Sequence, residues 1–138
     1  MTLDTNKPIV WIIDRQQWPR ALLRAELLEQ GYEAVGFMGL DEALGAFAHR
    51  LYERPQLIIL ELKDLAEGEE RVRALAGLGI PTILISGVAE EQRAILQGIR
   101  WTALLKRPVS IGRVVQEVER QVKILKTQGG EGAGWRKK

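Results

Sequence analysis

The chain contains no cysteine and a single histidine, His49, among its 138 residues. The absence of cysteine excludes disulfides, thiolate metal sites and cysteine nucleophiles, and it fits the reducing cytoplasm in which we expect the protein to act. One histidine leaves little for histidine-based metal binding or proton transfer. No apolar run approaches the roughly 20 residues that span a bilayer, and the opening segment MTLDTNKP lacks the apolar core of a signal peptide.

Basic residues exceed acidic residues by only two, and this excess lies at the C-terminal end of the chain. Residues 128–138 contain three basic residues and one acidic residue, so the 17 basic and 17 acidic residues of 1–127 balance. The glycines of the final segment are typical of a flexible end. We therefore predict one domain over 1–127 followed by a flexible basic tail. Without a basic patch on the folded part, we do not expect nucleic-acid binding.

Five short apolar segments recur at intervals of about 21 to 24 residues. They are IVWII from Ile9, EAVGF from Glu33, LIILEL from Leu57, PTILIS from Pro81 and TALLK from Thr102. The first, third and fourth are nearly continuous in apolar residues, which is typical of strands buried on both faces in a parallel sheet.

Helical patterns separate and follow these segments. They cover residues 20–30, 40–51, 67–79, 89–98 and 111–125. The last pattern is the clearest, because its apolar residues fall on one stripe at three- and four-residue spacing. That stripe contains Ile111, Val114, Val115, Val118, Val122 and Leu125, and the predicted polar face contains Arg113, Gln116, Glu117, Glu119, Arg120 and Lys123. The charged residues of the third pattern indicate a solvated helix face.

Alternating strands and helices with short connections predict a parallel sheet with helices on both faces. Right-handed crossover connections leave few topologies for such a chain. We therefore predict an α/β fold with a doubly wound five-stranded sheet of the flavodoxin-like type, in the order 2-1-3-4-5.

Polar residues occur where the predicted strands end. They are Asp14 and Arg15 after the first strand, Glu61 in the third, Ser86 in the fourth, and Lys106 and Arg107 at the end of the fifth. Ligands of such sheets bind outside the carboxyl ends of the strands, so we expect these side chains to converge at one edge. Asp14 by itself could equally be a turn or helix cap. Glu61 is harder to explain in that way, because it lies within the strand.

Together these segments resemble the receiver domain of bacterial response regulators, over about residues 8–125. IVWIID resembles the first strand and acidic pair, and PQLIILEL resembles the third strand, which ends in the phosphoacceptor aspartate. PTILISG and LLKRPVS resemble the fourth strand and the lysine–proline segment. The resemblance implies the receiver fold and a role in two-component phosphorelay signalling.

Of the positions that matter for phosphorylation, only Asp14 and Ser86 keep the family's residues, and the others depart from the family pattern. Glu61 stands at the phosphoacceptor position, Asp14 and Arg15 at the acidic pair, Ser86 at the hydroxyl position, Arg107 at the lysine position with Lys106 beside it, and Leu104 at the switch aromatic. An arginine in the acidic pair removes an oxygen ligand, so magnesium binding should be lost or weak and we expect no cofactor. A longer nucleophile misplaces the attacking oxygen, and about 1 Å of displacement can cost about a hundredfold in rate.

These departures favour a degenerate receiver in which Arg15 or Arg107 pairs with Glu61. We expect a phosphorylation-independent protein-binding module rather than an enzyme. Its partner would be a histidine kinase, an output protein or, as a homodimer, a second copy bound through the face formed by residues 89–125. On that face Trp101 is a possible anchor, although packing over the sheet edge is the preferred interpretation.

Two other functions stay open at this stage. The chain could be a working receiver that accepts phosphate on Glu61 or on Asp64 in the following loop. It could also be a small-molecule binder on a flavodoxin-like fold, although no glycine-rich phosphate loop follows the first strand. Trp18 could then stack on a ligand, but shielding the start of the first helix is the preferred interpretation.

Overall fold

Five strands form in the computed structural model, which describes residues 7–63, 68–87 and 96–129. They are β1 (Ile9–Ile13), β2 (Glu33–Phe37), β3 (Leu57–Leu62), β4 (Thr82–Ser86) and β5 (Ala103–Lys106). The predicted segments agree with these bounds to within one residue. The agreement follows from burial, because every residue of β4 and all but one of β3 are buried, and continuous apolar runs mark such strands.

Four helices lie in the described part of the chain. They are α1 (Gln17–Glu29), α2 (Leu40–Ala48), α3 (Glu69–Ala76) and α4 (Ile111–Gly129). Helix α1 begins two residues before Pro19, which lies in its first turn, where a missing N–H costs nothing. Helix α4 continues through Gly129, past the predicted start of the tail. The helix predicted over 89–98 lies mostly outside the described residues, as do Asp64 and Glu67.

The strands pair in parallel in the order β2-β1-β3-β4-β5, which confirms the predicted topology. The central strand β3 pairs with β1 from Val10↔Leu57 to Ile13↔Leu60, and with β4 from Ile58↔Thr82 to Leu62↔Ser86. Because parallel strands run in one direction, the ends of β1, β3, β4 and β5 meet at the same edge.

Two apolar cores cover the two faces of the sheet. Helices α1 and α4 pack on one face, where Leu27 and Val118 are fully buried against alternate strand residues such as Ile59. Helices α2 and α3 pack on the other face, where Leu40 and Leu75 are fully buried. No helix in the described ranges combines the length and apolarity that a bilayer span requires.

The prediction that Glu117 lies on the polar face of the last helix is wrong, because its side chain is only 2% exposed. Its carboxylate accepts hydrogen bonds from Arg113 Nη2 at 3.0 Å, Arg120 Nε at 3.2 Å and Gln121 Nε2 at 2.7 Å. Burial raises the pKa of Glu117, but these three hydrogen bonds outweigh it and hold the pKa below its usual value.

Replacement Glu117→Gln should reduce the free energy of unfolding at neutral pH by about 1–2 kcal/mol, because charge-assisted hydrogen bonds to a buried carboxylate are lost. A carboxyl whose pKa is lowered by folding contributes stability above its unfolded value near 4.5, and that contribution is lost as the pH falls through the folded pKa. The difference between wild type and variant should therefore shrink in acid.

Urea unfolding followed by circular dichroism at several pH values measures this difference. Glu33→Gln removes an exposed carboxylate from β2 and serves as the matched control. An equal loss of stability in both variants would show that the buried hydrogen bonds of Glu117 contribute nothing specific.

Candidate functional site

The carboxyl ends of β1, β3 and β5 place the site residues through backbone hydrogen bonds. The amide of Asp14, directly after β1, donates to Phe37 O at 3.0 Å. The amide of Arg107, directly after β5, donates to Ser86 O at 3.2 Å. Glu61 is held within β3 opposite Ile85 of β4. Backbone hydrogen bonds therefore hold Asp14, Glu61 and Arg107 at one edge of the sheet, independently of contacts between their side chains.

The central interaction of the site joins Glu61 to Arg107. Arg107 Nη1 donates to Glu61 Oε2 at 2.8 Å and also to the carbonyl oxygen of Leu62 at 3.0 Å. The side chain of Glu61 is 12% exposed and that of Arg107 is 25% exposed, so the pair is partly shielded from water. One guanidinium nitrogen makes both bonds, so the pairing is not bidentate.

A second cation, Lys63, lies at the exit of β3, with Nζ 3.7 Å from Glu61 Oε2. Burial nevertheless raises the pKa of Glu61 above its usual value, and the nearby carboxylate of Asp14 raises it further. The hydrogen bond from Arg107 and the charges of Arg107 and Lys63 lower the pKa without cancelling the effect of burial. The ionised form of Glu61 is thus held at a net electrostatic cost.

Asp14 is 5% exposed, and its Oδ1 accepts a hydrogen bond from the amide of Gln16 at 2.9 Å. This carboxylate therefore makes the turn contact that was one of the two interpretations of its sequence position. Arg15 beside it is exposed. Within the described ranges the ion pairs of Glu61 are with Arg107 and Lys63, so Arg107, and not Arg15, is the arginine that pairs with the acid.

Three of the predicted site residues lie on the face of the sheet opposite to that of Glu61. They are Ser86, Lys106 and Leu104. The register pairs Ser86 with Lys106 and Leu84 with Leu104, and side chains alternate along a strand. Leu84 belongs to the core beneath α2 and α3, so these residues lie on that face. Glu61 follows the alternation of Ile59, which packs on the opposite face. The structure thus separates the hydroxyl and Lys106 from the face of the Glu61 carboxylate.

Two further residues of the site carried no recognisable signal in the sequence. Arg20 of α1 lies over Gly36 and donates from Nη1 to the carbonyl oxygen of Asp14 at 2.7 Å. A Cβ at Gly87 would lie 3.2 Å from Arg107 Nη2, so the absence of a side chain there lets the guanidinium approach.

Trp101 and Trp18 differ in exposure. Trp101 is half-buried and packs against the core beneath α2 and α3, in agreement with the preferred packing interpretation. Trp18 is 75% exposed, so the interpretation that it shields the start of the first helix is wrong. Trp18 is exposed because α1 packs on the sheet through the side that contains Leu23 and Leu27.

At this edge one oxygen of each carboxylate is already engaged by a protein group. Magnesium requires hard oxygen ligands in near-octahedral geometry. Asp14 Oδ1 already binds an amide, Glu61 Oε2 already binds two cations, and Arg15 contributes no oxygen. Among the described residues no group of three or more histidine, cysteine, aspartate or glutamate side chains is placed to hold a metal ion.

Solved structures similar to this chain include receiver domains. A CheY-like response regulator receiver domain protein from Methanospirillum hungatei JF-1 has a TM-score of 0.75 at 19% identity, over 89% of this chain and 99% of that one. A response regulator receiver protein from Pseudomonas putida has a TM-score of 0.70 at 24% identity, over 83% of this chain and 97% of that one.

The receiver domain of a signal transduction histidine kinase from Syntrophus aciditrophicus has a TM-score of 0.71 at 21% identity, over 86% of this chain and 92% of that one. No family model and no curated protein matches the sequence. At these identities the similarity shows the fold, and the chain has the flavodoxin-like receiver fold.

The raised pKa of Glu61 predicts a specific pH dependence of stability. A carboxyl whose pKa is raised by folding binds its proton more tightly in the folded state. Its favourable contribution is present below the unfolded value near 4.5 and is lost as the pH rises through the folded pKa. Wild type should therefore lose stability relative to Glu61→Gln as the pH rises from about 4 to about 7.

Urea unfolding of both proteins across this pH range measures the gap. Glu53→Gln, which removes an exposed acid between α2 and β3, tests whether loss of any carboxylate has the same effect. A gap that is constant with pH, or one that changes in the opposite direction, would contradict the raised pKa.

Proposed function

We propose that the chain is a receiver-like signalling domain that acts by binding another protein and does not depend on phosphorylation. The observation that supports this most directly is the 2.8 Å ion pair between Arg107 and Glu61. By the resemblance of the sequence to receivers, Glu61 stands where the phosphoacceptor would be. The proposal follows from what this pairing does to the carboxylate.

An acceptor carboxylate must present an unengaged oxygen to the phosphoryl group along the line of attack. Here Oε2 of Glu61 already accepts a charge-assisted hydrogen bond from Arg107, and Lys63 lies 3.7 Å away. The side chain is also one methylene longer than aspartate, which moves its oxygens away from the family's position. Both effects act against attack on phosphorus.

Stabilisation of the developing charge is the second requirement of phosphoryl transfer, and receivers meet it with magnesium. The two carboxylates here are occupied by an amide and by two cations. We therefore propose that magnesium affinity is weak. Arg107 holds the acid in place but is committed to it, so it does not replace the metal.

We therefore propose that such a domain acts by binding a protein partner. The 89–125 face contains β5 and the first four turns of α4, and there the side chain of Leu104 is 57% exposed. We propose that this exposed leucine of the edge strand β5 contributes an apolar contact to the partner. The partner would be a histidine kinase, an output protein or a second copy of the chain.

Incubation of the protein with acetyl phosphate and magnesium should leave its intact mass unchanged, because Arg107 engages Oε2 of Glu61 and the proposed magnesium affinity is weak. Mass spectrometry of the whole protein reads this directly. A stoichiometric gain of one phosphoryl group by wild type would contradict the proposal, and Glu61→Gln and Asp64→Asn would then identify the acceptor.

The triple variant with Arg15→Asp, Glu61→Asp and Arg107→Lys restores the family's residues at three of the four departing positions and leaves Leu104 unchanged. Its phosphorylation by the same reagents, with wild type unmodified, would assign the loss of chemistry to these three residues. The single variant Glu61→Asp separates the effect of side-chain length from that of the two arginines.

A further inference from the structure

An apolar cavity of about 420 Å³ lies between β4, β5 and residues 96–101. Its walls are mainly apolar, and five apolar side chains line it. They are Leu84, Leu96, Ile99, Trp101 and Leu104. The volume lies within the range of about 300–1,000 Å³ that small-molecule sites occupy. Residues 88–95 lie outside the described part of the chain and are not counted among the residues of this site.

The side chain of Leu104 explains why space remains here. Leu104 is 57% exposed, so its side chain is directed largely to solvent, whereas Leu84 beside it on β4 is only 1% exposed. Leu96, which also lines the cavity, is only 6% exposed. Trp101 packs against the same core and forms a rigid aromatic wall. The cavity thus combines buried apolar walls with the largely exposed Leu104 of β5.

The other end of the cavity is polar and positively charged. The register pairs Ser86 with Lys106, two residues beyond the Leu84–Leu104 pair along each strand. Both residues line the cavity where the strands end. Lys106 is exposed and has no ion pair within the described residues. The guanidinium of Arg107 lies against Gly87, which also lines the cavity, and adds positive potential there.

We propose that this cavity binds a small amphipathic carboxylate, with an aromatic or short acyl group against Leu84, Leu96 and Trp101 and its carboxylate facing Lys106. Apolar burial supplies the main driving force, and the ammonium selects the negative end. A simple inorganic anion would leave the apolar walls uncovered, and a neutral apolar molecule would leave Lys106 without a partner. The polar end of this site adjoins Arg107 of the Glu61–Arg107 pair, but the proposed binding does not require phosphorylation of the domain.

Titration of the ¹⁵N-labelled full chain with 4-phenylbutyrate, followed by amide chemical shifts, tests the proposal. We expect saturable shifts at Gly87, Ile99 and Trp101 with a Kd of about 1 mM or tighter. The matched probe 4-phenylbutan-1-ol has the same ring and chain without the charge. It should bind at least about fivefold more weakly, because it lacks the interaction with Lys106.

Variant Lys106→Gln should weaken 4-phenylbutyrate by about fivefold and leave the alcohol unchanged. Lys123→Gln removes an exposed cation from α4, away from the cavity, and should change neither probe. Leu104→Trp, at a largely exposed position, should narrow the opening and weaken both probes. Thermal unfolding midpoints of all three variants check that the domain remains folded.

Three results would overturn the proposal. The first is the absence of saturable shifts with 4-phenylbutyrate up to about 10 mM, well beyond the affinity proposed. The second is equal binding of acid and alcohol, or a Lys106→Gln variant that binds the acid as wild type does. The third is a concentration-dependent shift of the same amides without any probe, which would show that a second copy of the chain covers the cavity.

Discussion

Burial of β3 between two layers of helices is the constraint on which the rest of the structure depends. The residues from Leu57 to Leu60 are at most 1% exposed, and burial of each such side chain contributes about 1.5–3 kcal/mol. That burial fixes the strand at the centre of the sheet and aligns the ends of β1 and β4 beside it. It also takes the next residue, Glu61, largely out of water, so the same force that forms the core creates the electrostatic problem at its edge.

Arg107 offsets only part of the cost of burying the Glu61 carboxylate. Its guanidinium reaches Glu61 because β5 ends beside Ser86 and because Gly87 leaves room for the side chain. The pKa of Glu61 stays raised in spite of this pairing, so the pair reduces the cost of burial rather than adding stability. An apolar side chain of similar volume would avoid that cost altogether. Folding stability therefore does not explain the acid at this position.

Particular residues show which parts of the structure the sequence patterns predicted and which parts they missed. The segments IVWII, EAVGF and LIILEL match β1, β2 and β3 residue for residue. Their bounds could be predicted because consecutive apolar and β-branched side chains indicate a buried strand. Helical periodicity gave the buried stripe of α4 but misplaced Glu117, because Arg113 and Arg120 on the same helix fold over its carboxylate. Periodicity describes directions around a helix axis, and it does not describe how long polar side chains cover one another.

The sequence by itself determined the order of elements, the parallel sheet and the edge at which the polar residues meet. Those follow from side-chain periods of 2 and 3.6 and from the common direction of parallel strands, which need no detailed coordinates. Only the tertiary structure decided that Arg107 rather than Arg15 pairs with Glu61, and that Leu104 turns outward beside a cavity. A hydrogen bond forms within a few tenths of an ångström and a cavity depends on every wall, so both depend on the packing of chain-distant segments.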